Sequence, residues 1–370
     1  MAGTARIVLF GATGFTGRLT ADALVSQGVR PVLAGRHPEP LAALAAGLGG
    51  LEVAVADVSR PASIRGLVDA GDVLITTVGP FAEYGGAAIE AAIDAGAHYL
   101  DSTGEAGFIR RIFQQYGPRA TSAAVLTGFG YDYVPGNLAG ALALRESPAA
   151  ARVDVGYFFT GADGGSAPTG MSSGTAASSA GMLLAEHHAL RAGRLVLEPI
   201  ARHLRAFPVG GRSLLAASIG GTEPFALPRI APGLVEVGVY VGWFGTATRP
   251  LQALSLGLSA VRALPGLSRP MEAVVGTLTP RGTGRGPDAA LRARRRSLVV
   301  AICADVDGRP VAQVEVGGKD GYDLTACLLA WGAQRLAEGA VRDVGALGPV
   351  DAFGLDVLAE GCAQAGLVRV

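Results

Sequence analysis

The 370 residues are 49% apolar and 17% charged, enough to bury a sizeable core and too apolar for a disordered chain. Basic and acidic residues balance at 31 each, so nothing points to nucleic acid or to an acidic membrane surface. Cys303, Cys327 and Cys362 lie far apart, with no CxxC and no Cys/His cluster, which indicates neither a disulfide framework nor a zinc site.

Met1 to Arg6 lead directly into a strand-like run, without the apolar core of a signal peptide. Arg6–Phe10 is that first run, followed by a Gly-rich turn and a helix over Arg18–Ser26. Strands over Pro31–Ala34, Glu52–Ala56, Val73–Thr77, Ala97–Leu100 and Ala123–Leu126 then alternate with helices over Glu39–Leu48, Pro61–Val68, Gly86–Ala95 and Ala106–Tyr116. Short continuous apolar runs separated by helical patterns are the mark of parallel strands buried on both faces. Six such units make a doubly wound α/β sheet with a crevice at the carboxyl ends of its strands.

Past about residue 130 the rhythm changes. A helix over Pro135–Leu144 precedes strands at Val153–Thr160, Leu195–Pro199, Arg205–Val209, Leu234–Val241, Leu298–Asp305 and Pro310–Gly317, with a helix near Gly174–Arg191. This reads as an α+β domain with a largely antiparallel sheet. Pro280–Ala290 reads as a surface loop and Thr325–Glu338 as a strong helix. The expected division is a Rossmann domain over 1–132, a substrate domain over 133–335, and a segment over 336–370 that packs back on the first domain. No run of about 18 apolar residues appears. Leu234–Leu267 comes closest and is broken by Arg249, Pro250, Arg262 and Pro265, which leaves peripheral membrane contact open. A cytoplasmic location is expected.

The turn Gly11-Ala12-Thr13-Gly14-Phe15-Thr16-Gly17 sits between a strand and a helix. Pyrophosphate is doubly anionic and is held by backbone N–H groups at such a helix start. Gly11 allows the tight turn, Gly14 the close approach of phosphate, and Gly17 the packing of helix on strand. Thr13 and Thr16 add hydroxyls. The end of the second strand, Leu33-Ala34-Gly35-Arg36-His37, carries no carboxylate for a ribose 2′-hydroxyl, and Arg36 suits a 2′-phosphate. NADP(H) is therefore the expected cofactor. Asp57 is placed either to accept from the adenine amino group or to cap the next helix. Thr77-Val78-Gly79-Pro80 lies where the nicotinamide ribose would run.

Crevice positions after the later strands carry Tyr84, the stretch His98–Glu105, and the stretch Gly128–Pro135. Tyr131 and Tyr133 are candidate proton donors. Asp132 is a candidate orienting group and also an N-cap candidate for the following helix. Asp101 and Glu105 read as structural, and His98 as packed beside its strand. Tyr84, Ser172 and Ser173 are the candidate substrate residues, the two serines lying in a Gly/Ser-rich lead into a helix whose N–H groups suit a carbonyl oxygen. No metal is expected: His187 and His188 are adjacent and diverge. Arg292 to Arg296 form a basic run that reads as a solvated edge or a contact for phosphopantetheine or an acidic carrier protein.

These motifs resemble the saccharopine dehydrogenase-like reductases. VLFGATGFTGRLTADAL, LAGR, TTVGPFAEYG, AGAHYLDSTGE and GFGYDYVPGNLAG stand in that family's order and spacing, and SSGTAAS, Gly321–Ala326 and Gly348-Pro349 before AFGLDVL extend the likeness. The chain looks most similar to the actinobacterial branch with the trans-acting enoyl reductases. The resemblance implies a Rossmann domain, a substrate domain with an antiparallel sheet, and reduction of either enoyl thioesters or imines. The motif written GFDSxPSD in relatives stands here as Gly130 to Asn137, with tyrosines flanking Asp132 and Asn137 in place of an acid. The leading expectation is an NADPH-dependent enoyl reductase acting on an activated or carrier-bound lipid or polyketide-type substrate. The alternatives are a C=N reductase of an amino-acid-derived substrate and a non-catalytic NADPH-binding or membrane-associated protein. The oligomeric state is open, with a homodimer as one form.

Overall fold

The computed structural model describes residues 5–161, 186–262 and 286–370. The chain divides into two compact units. The first comprises Met1–Gly104, Phe108–Val134 and Gly321–Leu367; the second comprises Glu105–Gly107, Pro135–Asp320 and Val368–Val370.

The first unit holds a seven-stranded parallel sheet. Its strands are β1 (Ile7–Phe10), β2 (Val32–Gly35), β3 (Val53–Val55), β4 (Val73–Thr76), β5 (His98–Asp101), β6 (Ala124–Leu126) and β15 (Gly345–Ala346), in the order β15-β6-β5-β4-β1-β2-β3. The order reverses between β1 and β4, and ligands of open α/β sheets bind at the carboxyl edge of that reversal. β1, β2 and β4 are buried throughout, which explains their uninterrupted apolar sequences. The helix Phe81–Ala95 begins one turn earlier than its apolar pattern suggests and ends on Gly96, whose φ of 73° is a left-handed cap.

The helix Gly321–Ala337 buries Leu324, Leu328, Leu329, Trp331 and Leu336 within this first unit. Tyr322 sets its ring edge-on to Phe15, 5.1 Å away, and Trp331 packs against Phe129 and Phe353. The sequence reading begins the returning segment at residue 336. The structure begins it at Gly321, because the whole apolar face of this helix belongs to the first core.

The second unit holds a nine-stranded sheet of β7 (Arg152–Gly161), β8 (Glu186–Arg191), β9 (Arg194–Pro199), β10 (Leu204–Val209), β11 (Arg212–Ile219), β12 (Glu236–Val241), β13 (Arg295–Ala304), β14 (Pro310–Gly318) and β16 (Leu367–Arg369). The central path is β10-β11-β12-β7-β13-β14-β16, with β8 on β12 and β9 on β8. The pair β7–β12 is parallel; β7–β13, β13–β14, β10–β11, β11–β12 and β8–β9 are antiparallel.

Residues 186–191 are a strand and not the end of a helix. Ala192 and Gly193 have φ of 48° and 72°, the mirror-image turn that matches strand twist, and β8 folds back on β9 with His187 opposite Glu198. Gly210 and Gly211 make the same kind of turn between β10 and β11, and β11 is a strand the periodicity reading leaves out. Ala289 and Ala290, inside the expected loop, open the short helix Ala289–Arg294, where Asp288 accepts from Leu291 N at 2.7 Å. Among the described residues no helix is long and apolar enough to cross a membrane.

Candidate functional site

The Gly11–Gly17 turn is built from backbone. Gly11 has φ of 91°, and a Cβ there would lie 2.7 Å from Thr77 Oγ1 and 2.9 Å from Val78 Cγ2. The first loop and the loop after β4 thus approach as closely as glycine allows. Gly14 N donates to Gly11 O at 3.0 Å, and Thr77 Oγ1 donates to the same carbonyl at 3.2 Å. A Cβ on Gly17 would collide with Gly11 O and come within 2.9 Å of Ala12 Cα. The helix Phe15–Ser26 carries no acidic residue in its first turn and no side-chain cap, so its leading N–H groups remain available to an anion. The tight glycine cradle, the uncapped helix start and the short Thr77–Pro80 turn fit a dinucleotide pyrophosphate.

Arg36 follows β2 directly and is exposed, with no ion pair among the described residues. Its positive charge favours the ionised forms of both Asp57 and Tyr84, as a minor contribution in each. The Asp57 carboxyl lies below the ordinary value mainly because Ser59 N and Ser59 Oγ, each at 2.8 Å, donate to its Oδ1. Tyr84 is pushed up chiefly by its hydrogen bond to Glu83, with Arg36 opposing. Tyr84, read from sequence as a substrate residue, is near enough to Arg36 to feel its charge.

The other end is the loop after β6. Tyr131 and Tyr133 are buried, and each neighbour of Asp132 is fastened. Tyr131 N donates to Thr325 Oγ1 at 3.0 Å; Tyr133 OH donates to Gly104 O at 3.0 Å. A Cβ on Gly130 would lie 2.6 Å from the Thr325 methyl, so that contact also requires glycine. The half-buried Asp132 carboxylate accepts no hydrogen bond among the described residues, so it does not cap the following helix Val134–Glu146. Loss of water pushes its carboxyl up to about 7, with no charged neighbour contributing. A carboxyl that titrates near neutrality and spends no lone pair on structure is suited to proton transfer.

Asp101 ends β5, fully buried. Burial raises its carboxyl to about 6, against hydrogen bonds from Gly128 N, Thr103 N and Thr127 Oγ1 that hold it down. His98 Nδ1 accepts from Ala124 N at 3.0 Å, and burial lowers its pKa, which fits a packed neutral ring.

In the second unit, a buried polar group escapes sequence reasoning. Tyr157 OH donates to Glu223 Oε1 at 2.6 Å and accepts from Gly136 N at 3.1 Å, while Asn137 Nδ2 donates to Thr222 Oγ1 at 2.8 Å. Asn137, which stands where relatives carry an acid, donates here as an ionised acid cannot. No spacing signal links these residues; only the fold brings them together. His187 is buried in β8 and its pKa falls to about 4 through desolvation. No group of three or more metal-ligating side chains occurs among the described residues. Ser172, Ser173 and the segment Gly174 to Ala185 lie outside the described residues.

The family model for the NADP-binding domain of saccharopine dehydrogenase matches residues 7–126. A Mycobacterium tuberculosis protein assigned as a trans-acting enoyl reductase is 30% identical over 409 aligned positions, covering 98% of this chain and 96% of that one. A trans-acting enoyl reductase of Mycobacterium ulcerans is 39% identical over 140 residues; that match spans 36% of this chain and 34% of the relative. Among solved structures, apo saccharopine dehydrogenase (L-Glu forming) from Saccharomyces cerevisiae aligns with a TM-score of 0.59 at 13% identity, covering 99% of both chains, a likeness of fold.

Proposed function

Because the chain belongs to the saccharopine dehydrogenase-like reductases, alongside the mycobacterial trans-acting enoyl reductases, we propose that it is an NADPH-dependent reductase of enoyl thioesters with Asp132 as proton donor. The observation that carries the proton-donor role is the Asp132 carboxyl, unpartnered and pushed up to about 7 on the loop after β6. NADPH supplies a hydride. Gly11, Gly14, Gly17 and the first turn of the helix Phe15–Ser26 hold its pyrophosphate, and Arg36 its 2′-phosphate. Tyr84 joins Arg36 at that nucleotide end.

Reduction of a C=C bond conjugated to a thioester adds hydride to the β-carbon and pushes an electron pair onto the thioester oxygen. The α-carbon then takes a proton. Asp132 in its neutral form donates that proton and becomes a carboxylate, which water reprotonates. Tyr131 and Tyr133, both buried, fix the backbone on either side of Asp132 through Thr325 Oγ1 and Gly104 O. A carrier-bound substrate is part of the proposal: Arg294 and Arg296 are exposed, with no carboxylate paired to them among the described residues, and suit the phosphate of a phosphopantetheine arm.

The test is NADPH oxidation with a short trans-enoyl thioester, followed by location of the hydride with deuterated cofactor. Label on the β-carbon is expected. Oxidation only in the presence of an amine and an aldehyde or oxo acid would move the activity to C=N bonds.

A further inference from the structure

We infer that Asp101 is the positioning residue that fixes the two loops around the Asp132 carboxyl and so limits the water that reaches it, an inference that rests on Asp132 being the proton donor. Asp101 takes hydrogen bonds from two separate loops. Thr103 N, at 3.0 Å, belongs to the loop after β5. Thr127 Oγ1, at 2.9 Å, and Gly128 N, at 2.8 Å, belong to the loop after β6. Its own carbonyl accepts from Phe129 N at 2.8 Å. One side chain therefore ties together both loops that end the central strands.

The same two loops meet again at Gly104. Tyr133 OH closes on Gly104 O, and a Cβ on Gly104 would sit 3.2 Å from Asp132 Oδ2. Backbone of the loop after β5 thus lies close to the Asp132 carboxylate, and Asp101 ties that loop down through Thr103 N. No basic side chain pairs with Asp101 among the described residues, so it is not the buried half of an ion pair. The titratable neighbour that acts on it is Tyr99, from its own strand, with Tyr116 acting on Tyr99. A carboxylate gathers these donors on two oxygens. Thr103 N and Gly128 N share Oδ1, and Thr127 Oγ1 is closest to Oδ2. Leucine, of similar size, offers no acceptor to any of the three and breaks the clamp, whereas asparagine can keep Oδ1 on both amides and donate to the Thr127 hydroxyl.

The experiment is a pH titration of carboxyl-labelled aspartates by carbon NMR on the full chain, with the Asp132 signal identified by its loss in Asp132→Asn. Two variants loosen the clamp: Asp101→Leu, which removes the acceptor, and the milder Thr127→Val, which removes one donor and preserves shape. In both, the Asp132 midpoint should fall by at least about one unit toward an ordinary carboxylate, as water reaches it. An Asp132 midpoint equal to wild type in either folded variant would overturn the inference. The kinetic counterpart is a double-mutant cycle on enoyl thioester turnover. Asp101→Leu should lower kcat by at least about tenfold with NADPH affinity within about twofold, and should cost far less once Asp132 is Asn. Multiplying effects would mark Asp101 as merely structural and overturn its positioning role. Full turnover in Asp132→Asn would instead overturn the proton-donor reading, and the NMR midpoints would still judge the clamp.

Discussion

The nucleotide end of the crevice and the loop after β6 are built on opposite plans. The nucleotide end is made of backbone: Gly11, Gly14 and Gly17 remove side chains so that a ligand and a helix can approach, and the one specific group, Arg36, stands exposed in water. The loop after β6 is made of side chains: Thr127, Tyr133, Asp101 and Thr325 fasten the chain so that one carboxyl, Asp132, is left unfastened and poorly hydrated. The first plan binds a ligand common to many enzymes. The second, in the proposed mechanism, tunes one proton. The contrast teaches that binding is achieved here by subtraction and chemistry by confinement.

Four measurements can break or sharpen that contrast. Asp132→Asn should lower kcat by about 100- to 1,000-fold while NADPH affinity stays within about twofold, as expected for loss of a general acid. Comparable losses in both would erase the division of labour. Arg36→Ala should raise the NADPH dissociation constant by about tenfold to a hundredfold and leave NADH binding unchanged, read by fluorescence titration. An equal effect on both cofactors would remove Arg36 from the 2′-phosphate.

The third measurement is pH dependence. A donor must be neutral, so wild-type kcat should decline as pH rises through about 7, the value to which burial raises Asp132. Stability carries the same sign. The unfolded carboxyl ionises near 4 and the folded one near 7, so Asp132 takes stability from the native state as pH climbs between them. Asp132→Asn should therefore melt about 2 °C higher than wild type at pH 8 and show no gain at pH 4, by calorimetry. A gain of equal size at both pH values would contradict a desolvated acid. The smallest effect belongs to Tyr84→Phe, for which an NADPH dissociation constant raised about two- to fivefold is expected. A change in thioester KM instead would return Tyr84 to the substrate.

The backbone-built end is legible in the sequence because its rules are local. A Gly-rich turn between an apolar run and a helical pattern, and an arginine where a carboxylate otherwise stands, need no tertiary knowledge. The parallel rhythm of residues 6–128 is equally local, and the strands lie within a residue or two of where the apolar runs place them. Glu186–Arg191 misleads because its residues tolerate helix, and pairing with β9 and β12 decides otherwise. Gly210-Gly211 is a hairpin signal in its own right, and its φ values bear out what such a pair permits. The state of Asp132 is not legible at all. Sequence places it in a crevice loop, but its burial depends on how that loop is folded, and the loop is held in part by Thr325, far along the chain. Asp101 reads as structural from its position, and its place as a tie between two loops emerges only from the partners of its two oxygens.

The return of the chain to the first unit has a consequence for how the protein is made. A ribosome that has emitted Asp320 has already released the whole glycine turn, Arg36 and Asp132. It has not yet released Tyr322, against which Phe15 rests, or Thr325, which holds Tyr131 N, or β15 beside β6. A chain abandoned at that point carries every residue assigned to chemistry and lacks the struts that set them. The contacts that brace the nucleotide turn and the Asp132 loop are thus among the last to be synthesised, and a copy cut at Asp320 is expected to oxidise no NADPH.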